Sequence, residues 1–175
     1  MNLLTYTAMM EFRTNYLNGQ EHAPLKILDV GSQDINGSYR DIFNLPDWKY
    51  IGLDIVPGKN VDVVPTDPYN WSMFYDNSFD VVISGQAFEH IEFFWLTMKE
   101  MSRVLKPGGL LYLTAPSAGH EHRFPVDCWR FFSDGFVALA KWANLIIISV
   151  KTDQGDPTLH NESEVWKSTT LIARK

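Results

Sequence analysis

An α/β fold, with helices on both faces of a mostly parallel sheet in a three-layer sandwich, follows from three features of the sequence. Short apolar runs of strand length recur as "LKILDV", "YIGLDI", "FDVVIS", "LLYLTAP" and "LIIISV". Helix-like segments separate most of them, the alternation that produces parallel strands joined by crossover helices. Between the last two strand-like runs lies only a polar stretch, "KTDQGDPTLHNESEVWK", which predicts an antiparallel hairpin at the sheet edge. Seven strands are expected in all.

The elements follow in order. Residues 2–17 place Leu3, Leu4, Ala8, Met9, Phe12, Tyr16 and Leu17 near helical spacing, and Asn18-Gly19 is a natural stop. Strands are expected at 25–30, 50–54 and 61–64, with a short helix at 36–43 and a turn or brief helix at 68–75. "FDVVIS" (79–84) is the fourth strand, and 87–105 carries a long amphipathic helix. That helix ends at "LKPGG", because Pro107 cannot continue the hydrogen-bond ladder and Gly108 permits a positive φ. Strand 110–116, helix 133–142 and the strands 145–150 and 168–173 complete the chain.

A length of 175 residues suits one domain, 1–175, with a sizeable core. The formal net charge of −6 argues against a nucleic-acid backbone as partner. The single cysteine, Cys128, excludes an intrachain disulfide framework and fits a reducing compartment. The N-terminal residues do not read as a signal peptide, and no run approaches membrane-spanning length. A cytoplasmic protein, monomeric or homodimeric and independent of membranes, is expected.

The stretch "LKILDVGSQDINGSYR" (25–40) looks like a strand turning around a nucleotide, yet it lacks the G-x-G-x-x-G of a dinucleotide fold. In an open parallel sheet, ligands bind beyond the carboxyl ends of the strands, and Asp29–Gly37 leaves the first of these. Gly31 allows close backbone approach, and Asp54 ends the second strand, where a carboxylate can accept both ribose hydroxyls. A pyrophosphate demands several close backbone amides that this loop does not offer. A nicotinamide-dependent oxidoreductase therefore ranks last among the readings.

In sequence order, "ILDVGS", "YIGLDI", "DNSFDVVISGQAFEHI" and "MSRVLKPGGLLYLTAPS" resemble the class I S-adenosylmethionine-dependent methyltransferases, of the small single-domain type-11-like kind, over roughly residues 25–150. The resemblance implies a Rossmann-like fold, S-adenosylmethionine as cofactor and methyl transfer to a small or medium acceptor. Its cofactor contacts fall on Asp29, Gly31, Ser32, Gln33, Asp54, Ile55, Asp67, Pro68, Ser84, Gly85 and Gln86. Asp67 corresponds to the acid that accepts from the adenine amino group, and Tyr69 or Trp71 is placed to stack on the ring. The ligand has a sulfonium and an aminoacyl tail instead of phosphates, so one tight turn with an acid such as Asp29 suffices. Gln33 stands where the family often has glycine.

The irregular stretch "SAGHEHRFPVDCWRFF" (117–132) follows the fifth strand, on the cofactor edge, and long loops of this kind are commonly binding loops. Arg123 and Arg130 are candidates to hold a carboxylate or phosphate, and Asp127 and Trp129 join them as acceptor contacts. His90, His120 and His122 are the candidate bases, needed only for a hydroxyl acceptor. His120, His122 and Asp127 lack standard metal-ligand spacing, so no metal is expected. Glu89 reads as a first-turn helix acid. "HRFPVDCWRFFSDG" resembles a segment of methyltransferases encoded near glycan and nucleotide-sugar genes, which points to a saccharide or its precursor as acceptor. The competing reading is a non-catalytic module that keeps the fold to bind a nucleotide or a partner.

Overall fold

The computed structural model describes residues 3–154 and 165–175. Helix α1 (Leu3–Tyr16) leads into β1 (Lys26–Val30) and β2 (Lys49–Leu53), with a 3₁₀ turn at Arg40–Phe43 between the strands. Strand β3 (Phe79–Gly85), a 3₁₀ turn at Phe88–His90, α2 (Phe94–Val104) and β4 (Leu105–Pro116) follow. Helix α3 (Ser133–Trp142) and strands β5 (Ile146–Thr152) and β6 (Ser168–Arg174) close the chain. The strand order is β2-β1-β3-β4-β6-β5, parallel as far as β4. Strand β6 runs antiparallel between β4 and β5, so the expected edge hairpin is present, with its return strand inserted inward. The polar segment joining the two strands lies largely outside the described residues.

Alternation along β3 shows how the sheet is covered on both faces. Val81 and Ile83 pack with Met9, Phe12, Phe43 and Tyr112 under α1, while Val82 packs with Met98, Met101 and Phe136 under α2 and α3. Strand side chains point alternately to opposite faces, so a continuous apolar run serves two cores at once.

The sheet has six strands among the described residues instead of seven. The expected strand at 61–64 is reduced to one bridge, Leu53 to Val63, and the exposed Asp62 side chain accepts from the Gly52 amide at 2.7 Å. The expected helix at 87–105 is divided: a 3₁₀ turn comes first, and α2 starts only at Phe94. The short helix expected at 36–43 is confined to 40–43, since the Gly37 amide bonds back to Asp34 Oδ1 in a local turn. Helix α3 occupies 133–142 as expected, and α2 ends just before the "LKPGG" stretch, where Gly108 has φ +80°. Among the described residues no helix is long and apolar enough to cross a membrane.

Candidate functional site

From β1 the chain moves to β2 on one side, and β3 lies on the other. The connections leaving the carboxyl ends of β1 and β3 therefore diverge, and a cavity of about 830 Å³ opens there. A volume of that size can take a nucleoside-sized ligand together with a second small molecule. Its strand-end half is lined by residues 29–33, 35–39 and 53–56, with Pro68, Tyr69, Gly85 and Gln86. Its far half is lined by 89–92, Thr97, 122–126 and Trp166.

The loop after β1 is held by contacts between segments distant in sequence. Gly31 has φ +76°, and a Cβ on it would lie 2.3 Å from the Ala87 Cβ. Its missing side chain thus admits the loop after β3, a close approach the sequence reading assigned to a ligand. The Gln33 amide donates to Asp54 Oδ2 at 2.9 Å, and its side chain lies where a Cβ on Gly58 would be. Ser32 and Asn60 bond reciprocally, Ser32 Oγ to the Asn60 carbonyl and Asn60 Nδ2 to the Ser32 carbonyl. Asp29 is 3% exposed and accepts from the Tyr50 hydroxyl. Burial pushes its carboxyl up to about 7, with the nearby Asp54 charge adding to the effect.

Two expected cofactor contacts stand elsewhere. Ser84 is fully buried and donates to the Val30 carbonyl at 2.7 Å, tying the ends of β1 and β3 together beneath the cavity. Asp67 is exposed, accepts from the Tyr69 amide at 2.8 Å in a local turn, and is not among the cavity-lining residues. Asp29, Gly31, Ser32, Gln33, Asp54, Ile55, Pro68, Gly85 and Gln86 all line it. Gln86, at φ +57°, also reaches Ser168 Oγ on β6.

In the loop 117–132 the structure separates the expected residues. Asp127 takes two bonds from Arg130, at 2.6 and 2.8 Å, and one from the His122 amide at 2.7 Å. Arg130 also donates to the carbonyls of His120 and Trp129. The ion pair is therefore an internal brace of the loop, and neither partner lines the cavity. Trp129 donates its indole N–H to the Ile91 and Glu92 carbonyls and packs edge-on against Phe94, so it fastens the loop to the segment before α2. His120 is exposed against Trp166, outside the cavity, whereas His90, His122 and Arg123 line it.

Sequence reasoning missed Glu89 as a site residue. Its side chain is 1% exposed and lines the cavity, and Oε2 has no hydrogen-bond partner. Burial pushes this carboxyl up to about 8. Beside it, His90 Nδ1 lies 2.6 Å from the Val126 carbonyl, a pairing that assigns the proton to Nδ1 and leaves the Nε2 lone pair free. Burial lowers the His90 pKa, which keeps the ring neutral. The "FEHI" motif marked the position, but only the loop 117–132 folding over it makes Glu89 buried.

Four acids, Asp29, Asp54, Glu89 and Glu92, line the cavity against one arginine, Arg123 at the far end. Acids outnumber cations in this lining, which suits a ligand bearing a sulfonium and an ammonium better than a pyrophosphate, even with Asp29 raised to about 7 and Glu89 to about 8 by burial. S-adenosylmethionine fits on these grounds, with Asp29 and Asp54 both lining the strand-end half of the cavity.

Comparison with known proteins agrees with this geometry. The fold is that of the methyltransferases: a methyltransferase from Archaeoglobus fulgidus superposes with a TM-score of 0.70 at 12% identity, covering 97% of this chain and 94% of its own. The 1,6-didemethyltoxoflavin-N1-methyltransferase of Burkholderia thailandensis, solved with 1,6-didemethyltoxoflavin and S-adenosylhomocysteine, superposes at 0.71 with 12% identity, covering 98% and 78%. In sequence, a methyltransferase-domain family model matches residues 28–113. Residues 28–113 thus resemble a methyltransferase domain, set on the fold that S-adenosylmethionine-dependent methyltransferases share. An uncharacterized methyltransferase of Mycolicibacterium gilvum is 28% identical over 129 residues, 65% of this chain and 50% of that protein. The chain spans about half the length of such curated relatives.

Proposed function

We propose that this protein transfers a methyl group from S-adenosylmethionine to a small acceptor bound in the far half of the cavity. The observation that carries the reading is the single continuous cavity joining Asp54 at the strand ends to Glu89, His90 and His122 under the loop 117–132. The cofactor, when bound, supplies an electrophilic methyl, so the protein has chiefly to orient the two reactants. Asp54 and the Gly31–Gln33 turn hold the ribose and aminoacyl ends, while Tyr69 and Pro68 flank the ring. The acceptor's reacting atom belongs beside His90 and His122, and Arg123, ion-paired with Glu121 at 2.6 Å, can reach an acidic acceptor only by exchanging that partner. A saccharide or its precursor is the acceptor class suggested by the resemblance of residues 122–135 to methyltransferases encoded near glycan and nucleotide-sugar genes. The toxoflavin enzyme, which shares this fold, binds 1,6-didemethyltoxoflavin and S-adenosylhomocysteine together, and that analogy of fold supports a cofactor and an acceptor in one protein.

Calorimetric titration with S-adenosylmethionine tests the cofactor half. Asp54→Asn keeps an acceptor for the Gln33 amide but removes the carboxylate, and is expected to weaken binding at least about tenfold. Equal affinity in variant and parent refutes the assignment. Cofactor binding without a methylated product across sugars, nucleotide-sugars and small acids favours the non-catalytic module instead.

A further inference from the structure

Glu89, His90 and His122 each bring one ligand atom into a group whose members all lie within 4.8 Å of one another. Glu89 and His90 come from the 3₁₀ turn after β3, and His122 comes from the loop 117–132. His90 Nε2 and Glu89 Oε1 are 3.7 Å apart. Tetrahedral ligands at about 2.1 Å from an ion stand roughly 3.4 Å from one another, so small side-chain adjustments close the site. We propose that these three side chains hold a divalent transition-metal ion at the acceptor end of the cavity.

Four observations carry it. Glu89 is almost fully buried, and its Oε2 lacks any hydrogen-bond partner, a costly state that a cation relieves. His90 already points its proton-bearing Nδ1 at the Val126 carbonyl, the outer-shell bond that fixes a ligating imidazole with Nε2 toward the metal. His122 Nδ1 is buried without a hydrogen-bond partner, 3.2 Å from Asp127 Oδ2, a second unsatisfied polar atom at the same place. Arg130 is neutralised by its bidentate pairing with Asp127 and Arg123 by its ion pair with Glu121, and the cavity around the site is rich in acids.

Two imidazoles and one carboxylate suit zinc, iron(II), manganese(II) or cobalt(II) better than calcium or magnesium. All three side chains line the cavity, so solvent or an acceptor held there can complete the coordination. This deepens the methyl-transfer reading: an ion there would orient an oxygen-bearing acceptor and lower the pKa of its hydroxyl. His90 and His122 would then act together as ligands instead of singly as bases.

The test uses the full chain, stripped with a chelator and dialysed, titrated with cobalt(II) chloride by visible absorption and with zinc chloride in competition against a chromophoric chelator. One equivalent should bind, with cobalt d–d bands of a four- or five-coordinate site. Glu89→Gln and His122→Ala should each weaken binding at least about tenfold. His120→Ala, whose ring stands outside the cavity, should leave it unchanged. Absence of saturable one-to-one binding in the parent protein overturns the proposal, whatever the variants do. So does binding that is indifferent to both Glu89→Gln and His122→Ala, or lost equally in His120→Ala. S-adenosylmethionine affinity of the stripped protein, measured in parallel, separates failure of the metal site from failure of the methyltransferase reading.

Discussion

The Asp127–Arg130 ion pair offers the sharpest test of how the loop 117–132 is built. Arg130→Met removes the guanidinium and leaves a carboxylate whose side chain is 2% exposed. Stranding a buried charge in this way costs about 3–5 kcal/mol. The His122 amide at 2.7 Å still solvates Asp127, so the lower figure applies, about 3 kcal/mol. With a urea m-value of about 2 kcal/mol/M, the unfolding midpoint should fall by about 1.5 M at pH 7. Arg130 holds the Asp127 carboxyl below its ordinary range, so this stabilisation is present above the unfolded value of 3.8 and is lost as pH falls through the folded one. The deficit of the variant should accordingly shrink in acid. Asp127→Asn combined with Arg130→Met should recover much of the loss, because no charge is stranded. Urea unfolding followed by tryptophan fluorescence reads all three chains. A loss below about 1 kcal/mol, the range of an exposed pair, or a loss independent of pH refutes the internal-brace account.

Asp29 behaves with the opposite sign. Its folded pKa of about 7 lies above the unfolded 3.8, so its protonated form favours the fold below pH 3.8, and that stability is lost as pH rises through 7. Asp29→Asn should therefore gain on the parent between pH 4 and pH 8, by at most about 4 kcal/mol, in unfolding of the ligand-free protein; a flat difference refutes it. Gly31→Ala meets both a φ of +76° and the Ala87 Cβ, and should cost about 3 kcal/mol, a drop of about 9 °C in Tm by calorimetry. Gly19→Ala, at φ +81° in open space, should cost about 1 kcal/mol. Equal costs for the two glycines would show that the contact with Ala87 carries no energy.

Much of the cofactor half was legible in the sequence because its determinants are local. An apolar run ending in an acid and a glycine places Asp29 and Gly31 at a strand end, and "YIGLDI" does the same for Asp54. The strand at 61–64 was not legible, since "VDVV" has strand composition but Asp62 is drawn to the Gly52 amide and Arg40. Ser84 and Asp67 look like site residues by their place after a strand. Their hydrogen bonds, to Val30 and to the next turn, are not written in any spacing.

The sequence alone determined the class of fold, the order of its strands and helices and the character of the cofactor loop, because periodicity and turn chemistry act between near neighbours. Only the tertiary structure decided what residues 117–132 do. There the chain folds back over Phe88–His90, pairs Asp127 with Arg130, turns His120 outward and His122 inward, and buries Glu89 beside two imidazoles. Burial and the meeting of side chains some thirty residues apart set the charge and the partners of that cluster, and neither can be read from a chain laid out straight.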